Sequence, residues 1–287
     1  MSISDIKFGP GGNPDDFYEN GGKSSLEMPR WLAGLGLDAY EYECGRGVKI
    51  STDACEILKG EAVKYGIALS VHSPYYVNLA TPDPEKQEKS IGYIMSSARA
   101  AKAMGADRVV VHMGAAGKLT RREGVELSKA LILRTLDRMR GEGLDCVRLC
   151  IETMGKLNQL GDERETAEVC SVHESLLPTV DFGHLHARGM GALFCSSAFE
   201  SVIDVFQKKI GADRTNNMHI HFSKIEYTHM GEKRHLTFED ELFGPDFEPL
   251  AEVIAKRGMT PRVICESAGT QGKDALYMKK IMEDKLS

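Results

Sequence analysis

The sequence RVVVH, residues 108–112, is a short apolar run that ends in a histidine, and the chain repeats this pattern. Five other apolar runs also end in an imidazole or a carboxylate. The six runs are Ile67–His72, Arg108–His112, Val147–Glu152, Pro178–Asp181, Met218–His219 continuing to His221, and Arg262–Glu266. In a parallel β-barrel the carboxyl ends of the strands meet at one rim, where functional side chains collect. The pattern therefore predicts a metal site at that rim.

Strand-like and helix-like segments alternate along the chain. Strand candidates at Ile6–Phe8 and Ala39–Glu43 precede the six runs and bring their number to eight. The helix predicted for Asp83–Met104 has acidic residues and a proline in its first turn and ends before a glycine. Alternation of this kind favours right-handed βαβ units and a parallel sheet. We therefore predict an α/β fold, a single (β/α)8 TIM-barrel domain spanning residues 1–287 with its metal site at the C-terminal rim of the strands.

Composition permits this architecture and excludes few functions. The chain has 287 residues, a formal net charge of −6 and seven cysteines without a Cys-x-x-Cys pair. An odd set of thiols inside strand-like runs is typical of reduced cytosolic proteins rather than of disulfide frameworks. We find no apolar run long enough for a membrane span and no secretory signal, so we expect a cytoplasmic protein with no membrane partner. The net charge neither suggests nor excludes DNA.

The residue types at the strand ends are those of a transition-metal site. A lone histidine in a strand is more often a core residue than a ligand, but Glu152 and Glu266 follow apolar runs that should be buried. A carboxylate removed from water needs a cation or several donors. Imidazoles and carboxylates together suit Zn2+, or less selectively Mn2+ or Fe2+. Because His219 and His221 are two residues apart, both should point to the same face of their strand.

Several motifs resemble those of the endonuclease IV family of apurinic/apyrimidinic endonucleases. They are HSPYYVNLA at 72–80, the helix that follows it, VVVHMG at 109–114, DFGH at 181–184, HIHFSK at 219–224 and CESA at 265–268. The resemblance covers roughly residues 65–270. It implies a (β/α)8 barrel that holds three zinc ions and cleaves the DNA backbone on the 5′ side of an abasic site.

The resemblance also implies a role for each ligand candidate. His72 and His112 would bind one zinc ion, and Glu152 would bridge it to a second. Asp181, His219 and Glu266 would complete the second site. His184 and His235 would bind the third ion.

The chain departs from the family pattern at the third metal site and in the regions that would contact DNA. The family has an acidic residue two positions before His235, where this chain has Lys233. The third site is therefore missing, weakened, or rebuilt with Glu232 or His221, and we expect two or three zinc ions, with manganese possible. The loop CGRGVKIS, residues 44–51, lacks the bulky groove-entering residues of the family, so contacts with abasic DNA should be weakened.

Three residues are candidates for catalysis whichever phosphate ester is bound. A bridging Glu152 would set the spacing of two metal ions, and Glu266 could orient or deprotonate the nucleophile. Tyr75 could donate a hydrogen bond to a phosphoryl oxygen, or could be only a rim aromatic. Lys233 could supply a positive charge beside the phosphate.

Two alternatives use the same residues. Glu152, Asp181, His219 and Glu266 also resemble the four-ligand, single-metal site of xylose-isomerase-like isomerases and epimerases, whose substrate would be a sugar or a small phosphorylated sugar. His184 and Arg188 would then contact the substrate, and His72 with His112 would have no metal to bind. The other alternative is a degenerate barrel that binds a ligand without chemistry.

Overall fold

The computed structural model describes residues 2–287 and contains alternating strands and helices. The strands are β1 (Lys7–Pro10), β2 (Ala39–Glu43), β3 (Ala68–His72), β4 (Arg108–Val111), β5 (Arg148–Glu152), β6 (Leu177–Asp181), β7 (His219–Phe222), β8 (Ile225–Thr228), β9 (Gly231–His235) and β10 (Arg262–Cys265). The helices are α1 (Asp15–Glu19), α2 (Met28–Leu35), α3 (Thr52–Tyr65), α4 (Pro84–Met104), α5 (Arg121–Gly141), α6 (Glu163–Cys170), α7 (Phe182–Arg188), α8 (Ser196–Ile210), α9 (Ala212–Asn216), α10 (Glu248–Arg257) and α11 (Gln271–Leu286).

Eight parallel strands form the barrel in the order β1–β10–β7–β6–β5–β4–β3–β2. A single bridge between Gly11 and Glu41 closes the ring between β1 and β2. The two strands approach so closely that a Cβ atom at Gly9 would lie 1.7 Å from the carbonyl oxygen of Ala39. Only glycine fits there, because any side chain would force the strands apart. The predicted (β/α)8 TIM barrel is confirmed.

The helices begin and end where their local sequences dictate. Asp83 caps α4 by accepting hydrogen bonds from two backbone amides of the first turn, and Gly105 ends it in the left-handed conformation. Thr120 and Glu123 form a capping box at the start of α5. These helices pack on the outside of the sheet and bury one continuous apolar core. Among the helices of residues 2–287, none combines the length and apolar character needed to cross a membrane.

The interior of the barrel is layered by the alternation of side chains along each strand. A small separate cluster of Val110, Cys150 and Leu177 lies below the C-terminal rim. Arg108 and Arg262 are buried near the opposite end, where Arg262 forms a 2.8 Å ion pair with Asp107. The apolar and basic layers leave the uppermost layer for the side chains at the strand ends.

Two elements near the rim were not predicted from the sequence. The helix α7 begins directly after Asp181, whose side chain accepts a hydrogen bond from the His184 amide at 2.7 Å. The antiparallel hairpin of β8 and β9 follows β7 and ends at His235. Both elements carry side chains over the mouth of the barrel, and they determine how the site is completed.

Candidate metal centre

Glu152, at the end of β5, is the side chain around which the rim is organised. Its Oε2 atom lies 2.8 Å from Nε2 of His112 and 3.3 Å from Nε2 of His72. Its other oxygen, Oε1, lies 3.3 Å from Nδ1 of His221. Only 1% of Glu152 is exposed, so both oxygens are available to neighbouring side chains rather than to water. His72, His112 and Glu152 form the first of three groups at the rim with the spacing of metal ligands. Other sets overlap with these, and Glu41, His219 and His221 form a further group with that spacing below the rim.

The second group shares Glu152 and adds Asp181, His221 and Glu266. The ligand atoms of the four residues all lie within 4.8 Å of one another, and Nδ1 of His221 is 3.2 Å from Oε1 of Glu266. Asp181 Oδ2 is buried and has no hydrogen-bond partner among residues 2–287. A buried carboxylate oxygen without a partner is costly unless a cation occupies the space before it. The second group therefore fits a divalent ion.

The third group consists of His184, Glu232 and His235. His184 Nε2 lies 3.5 Å from Glu232 Oε2, and the His184 and His235 rings are 5.4 Å apart between centroids. His184 also lies 3.3 Å from Asp181 through its Nδ1 atom. The third group is thus contiguous with the second, and the three groups together form what we call the rim cluster.

The histidines of the rim cluster are oriented by partners on their outward-facing nitrogens. Nδ1 of His72 contacts the Ser73 carbonyl and Nδ1 of His184 contacts the Thr153 carbonyl, both at 2.9 Å. Nδ1 of His235 contacts the Ser223 hydroxyl at 2.8 Å. In each ring Nε2 is left to face the cluster. This second contact is the usual support of a metal-binding histidine because it fixes both tautomer and ring angle.

The charged side chains of the rim cluster shift one another's pKa values. Burial raises the pKa of Asp181 to about 8. Burial opposes protonation of His184, but Asp181 and Glu232 raise its pKa to about 9. Burial would also raise the pKa of Glu152, yet the facing His112 imidazole and other histidines hold it well below its usual range. Protons on Asp181 and His184 thus offset negative charge that a bound divalent cation would neutralise.

The structure places His219 beside Glu41 and His221 rather than beside Asp181 and Glu266. Asp181 pairs in register with His221, whereas His219 pairs with Thr179 one layer deeper. Two residues along a strand correspond to roughly 7 Å, so only the upper histidine reaches the level of Glu152 and Glu266. His219 is fully buried beside Glu41, and burial lowers its pKa to about 4, so its ring is neutral.

A β-bulge explains how the third group tolerates Lys233. In the hairpin Glu226 pairs with Arg234 and Tyr227 pairs with Glu232, which leaves Lys233 as the extra residue. The bulge breaks the alternation of side chains, so that Glu232 and His235 reach the same group. Lys233 points outward and pairs with Glu226. The suggested positive charge of Lys233 beside a phosphate is therefore wrong.

Glycines bring Glu232 into place. A Cβ atom at Gly155 would lie 2.6 Å from Cβ of Glu232, and the Glu232 amide donates a 3.1 Å hydrogen bond to the Gly155 carbonyl. Gly231 has a φ of 89°, and a Cβ there would lie 2.3 Å from the same carbonyl. The hairpin can pack on the loop after β5 because both segments have a glycine at this contact.

We expect Glu232→Gln to lower the metal content by one ion per chain, since the amide removes the only carboxylate of the third group. Lys233→Gln is the matched control, because it changes the neighbouring bulge residue and should leave the metal content unchanged. Elemental analysis after dialysis against trace zinc measures both. Loss of an ion in Lys233→Gln with retention in Glu232→Gln would contradict the assignment.

Sequence reasoning missed two carboxylates of β2. Glu41 is fully buried beside His221, and Glu43 lines the mouth of the pocket. Although Glu43 has an exposed surface, the enclosing protein and the neighbouring Glu41 and Glu266 carboxylates raise its pKa. The signal was present in the sequence AYEYE, where both glutamates share a face at the end of a strand.

A pocket of about 420 Å3 opens above the rim cluster. Besides the ligand candidates, its wall contains Tyr75, Lys156 and Gln159. Tyr75 is 51% exposed, and its hydroxyl donates to the hydroxyl of Tyr76 at 3.0 Å. Arg188 does not line this pocket. Instead it donates hydrogen bonds to the carbonyls of Met154, Lys156 and Gln159 and thereby holds the loop after β5.

A parallel barrel that gathers histidines and carboxylates at its C-terminal rim belongs to the class of TIM barrels with a candidate metal site. Within that class, the chain belongs to the xylose isomerase-like TIM barrel family, whose family model matches residues 29–283. The uncharacterized protein MJ0133 of Methanocaldococcus jannaschii is 33% identical over 250 residues, which cover 86% of this chain and 88% of that protein. A probable endonuclease 4 of Staphylococcus aureus is 29% identical over 223 residues, covering 71% and 73%.

Solved structures with the same fold include both endonucleases and epimerases. A D-tagatose 3-epimerase-like protein superposes with a TM-score of 0.73 at 20% identity, covering 98% of this chain and 97% of that one. Endonuclease IV from Thermus thermophilus gives a TM-score of 0.70 at 17% identity, covering 98% of each chain. At these identities the likeness concerns the fold. The predicted resemblance to the endonuclease IV family is confirmed, whereas the substrate requires a separate argument.

Proposed function

We propose that this protein is a metal-dependent phosphodiesterase of the endonuclease IV type, which cleaves DNA on the 5′ side of abasic sites. The observation that carries the proposal is the rim cluster itself. Its first two ligand groups share Glu152, and the third adjoins the second where His184 lies 3.3 Å from Asp181. Three groups are suited to a reaction that spreads charge over several phosphoryl oxygens. The 29% identity with a probable endonuclease 4 supports the same substrate class.

A single-metal epimerase would use the second group alone. It would give no role to His72 and His112, which contact Glu152, or to Glu232 and His235 on the hairpin. In the epimerase hypothesis Arg188 contacts substrate, but its guanidinium is engaged by three backbone carbonyls. The epimerase remains the second candidate, because the second group contains three carboxylates beside one histidine, and two carboxylates are enough to move a proton at a metal-bound sugar.

The donor set suits zinc, with manganese as the alternative, because imidazoles and carboxylates are mixed in each group. We propose His72, His112 and Glu152 as ligands of one ion, Glu152, Asp181, His221 and Glu266 as ligands of a second, and His184, Glu232 and His235 as ligands of a third. Bound ions of this kind supply a nucleophile at neutral pH and neutralise charge on phosphoryl oxygens.

The side chains around the ions perform the remaining tasks. Glu152 fixes the distance between the first two groups, because each of its oxygens faces a different one. Glu266 is placed to orient the nucleophile and accept its proton, since its carboxylate faces both His221 and the pocket. Tyr75 and Lys156 line the pocket wall, where a hydroxyl and an ammonium group can bind phosphoryl oxygens.

The aromatic rings at the pocket mouth support a nucleic-acid substrate. Tyr75 and Tyr76 are both about half exposed, and their ring centroids are 4.3 Å apart. Exposed rings of this kind offer faces on which bases and sugars can stack, and such stacking tolerates any sequence. Tyr93 extends the row, with its centroid 5.8 Å from that of Tyr76.

A nicking assay tests the proposal. We expect a duplex oligonucleotide with one tetrahydrofuran abasic analogue to be cut on the 5′ side of the lesion in the presence of zinc or manganese. Cleavage should vanish in His112→Ala and after chelation, and an undamaged duplex should stay intact. Because the loop at 44–51 offers only Arg46 and Lys49 as cations, we expect few phosphate contacts and weak binding, so the assay is run at low salt. Absence of nicking with every metal, together with isomerisation of a ketose or sugar phosphate, would establish the epimerase instead.

A further inference from the structure

Glu41, on β2, is a carboxylate buried below the rim cluster that the proposed mechanism does not use. It is fully inaccessible to solvent. Its contacts with cationic or protonatable groups are to two histidines of β7. Oε1 lies 2.8 Å from Nε2 of His221, and Oε2 lies 3.0 Å from Nε2 of His219. Burying a charged carboxylate this deep in a barrel costs free energy, so Glu41 requires a specific partner.

His221 differs from His72 and His235 in the nitrogen that it turns toward the carboxylates. Its Nδ1 atom faces Glu152 at 3.3 Å and Glu266 at 3.2 Å, so its Nε2 atom points away and down into the barrel. His72 and His235 have the opposite arrangement, because their Nδ1 atoms contact a carbonyl and a hydroxyl. Nδ1 of His184 lies 3.3 Å from Asp181 but contacts the Thr153 carbonyl at 2.9 Å. The ring of His221 therefore needs a hydrogen-bond acceptor at Nε2, and Glu41 is that acceptor.

We propose that Glu41 is a positioning residue that holds His221 in the tautomer with a proton on Nε2, so that Nδ1 binds the ion of the second group. The inference deepens the proposed function and rests on it only for the catalytic role of that ion. Nε2 of His219 lies 3.0 Å from the second oxygen of Glu41, without hydrogen-bond geometry. Glu41 and His221 belong to different strands, and the 2.8 Å contact between them connects β2 to β7 across the barrel.

The first test uses the wild-type chain, so it does not depend on the folding of a variant. Long-range nitrogen–proton NMR correlations of the zinc-loaded, 15N-labelled protein report which ring nitrogen of each histidine carries the proton. We expect one ligand histidine, His221, to bind zinc through Nδ1 and to retain a slowly exchanging proton on Nε2. We expect His72, His184 and His235 to bind through Nε2. Zinc on Nε2 of His221 would overturn the inference.

The second test is Glu41→Gln, which keeps the shape and an acceptor oxygen but removes the charge. We expect the dissociation constant of one bound ion to rise roughly 10- to 100-fold, the usual effect of losing such a supporting partner. Excess metal should restore the nicking rate, and the visible spectrum of the cobalt-substituted protein should change for one ion. Tyr42→Phe, on the neighbouring position of β2, is the matched control and should leave the affinity unchanged.

Two results would contradict the positioning role. Unchanged metal affinity and an unchanged cobalt spectrum in Glu41→Gln would make Glu41 a packing residue. Four ions per wild-type chain, falling to three in Glu41→Gln, would make Glu41 a direct ligand. Because these measurements need no substrate, a protein that passes them but fails to nick abasic DNA would sink the proposed function and leave the role of Glu41 intact.

Discussion

Replacement of Glu152 by glutamine is expected to abolish phosphodiesterase activity while leaving the barrel folded. Glu152 is part of two ligand groups, with one oxygen 2.8 Å from His112 and the other 3.3 Å from His221. An uncharged amide bridges two cations poorly, so both ions should be weakened together. The rate should fall by more than the roughly 10- to 100-fold that loss of a supporting partner costs.

The measurement is the rate of nicking of the abasic duplex at saturating zinc, combined with far-ultraviolet circular dichroism. Glu283→Gln is the control, since it makes the same chemical change on the exposed surface of α11. A Glu152→Gln protein that nicks at a rate close to that of the wild type would show that Glu152 does not bridge catalytic ions.

Replacement of His221 by alanine is expected to remove one ion and most of the activity, whereas His219→Ala should retain all ions. The two histidines share a face of β7, but only His221 contacts Glu152 and Glu266. His219 lies in the layer below, where its loss would leave a cavity inside the barrel. Either change should cost about 1–3 kcal/mol of folding stability, so stability alone cannot separate them.

Metal content and nicking rate should separate the two variants. We expect His221→Ala to be deficient in one ion per chain and nearly inactive even at excess zinc. His219→Ala should keep the wild-type metal content, because Glu41 still has His221 as its partner. The reverse pattern would restore His219 as the ligand and would mean that the register of β7 differs from that described above.

Much of the fold was predictable because its signals are local. Apolar runs of strand length, each ending in a ligand-type residue, predict parallel strands whose ends converge, and glycines or prolines mark the ends of several helices. His72, His112, Glu152, Asp181 and Glu266 could be placed because each ends its own run. The layer within the barrel could not be predicted for His219 and His221, since both satisfy the same alternation and only the pairing of Asp181 with His221 decides between them.

Glu232 illustrates a different limit. Its position depends on a bulge in a two-stranded hairpin and on two glycines that let the hairpin approach the loop after β5. A bulge shifts every later side chain to the other face of its strand, and nothing in the sequence GEKRH marks it. Glu41 and Glu43 had a visible signal, because two glutamates two apart at a strand end must point to one face.

The rim is expected to hold three metal ions, two of which share Glu152, and anomalous diffraction from crystals of the zinc-loaded protein tests this most directly. Data on either side of the zinc absorption edge locate each ion without reference to any substrate. We predict three peaks at the rim, one beside each of the three ligand groups, with Glu152 between the first two. A single peak among Glu152, Asp181, His221 and Glu266, at saturating zinc, would contradict the account and favour a single-metal epimerase.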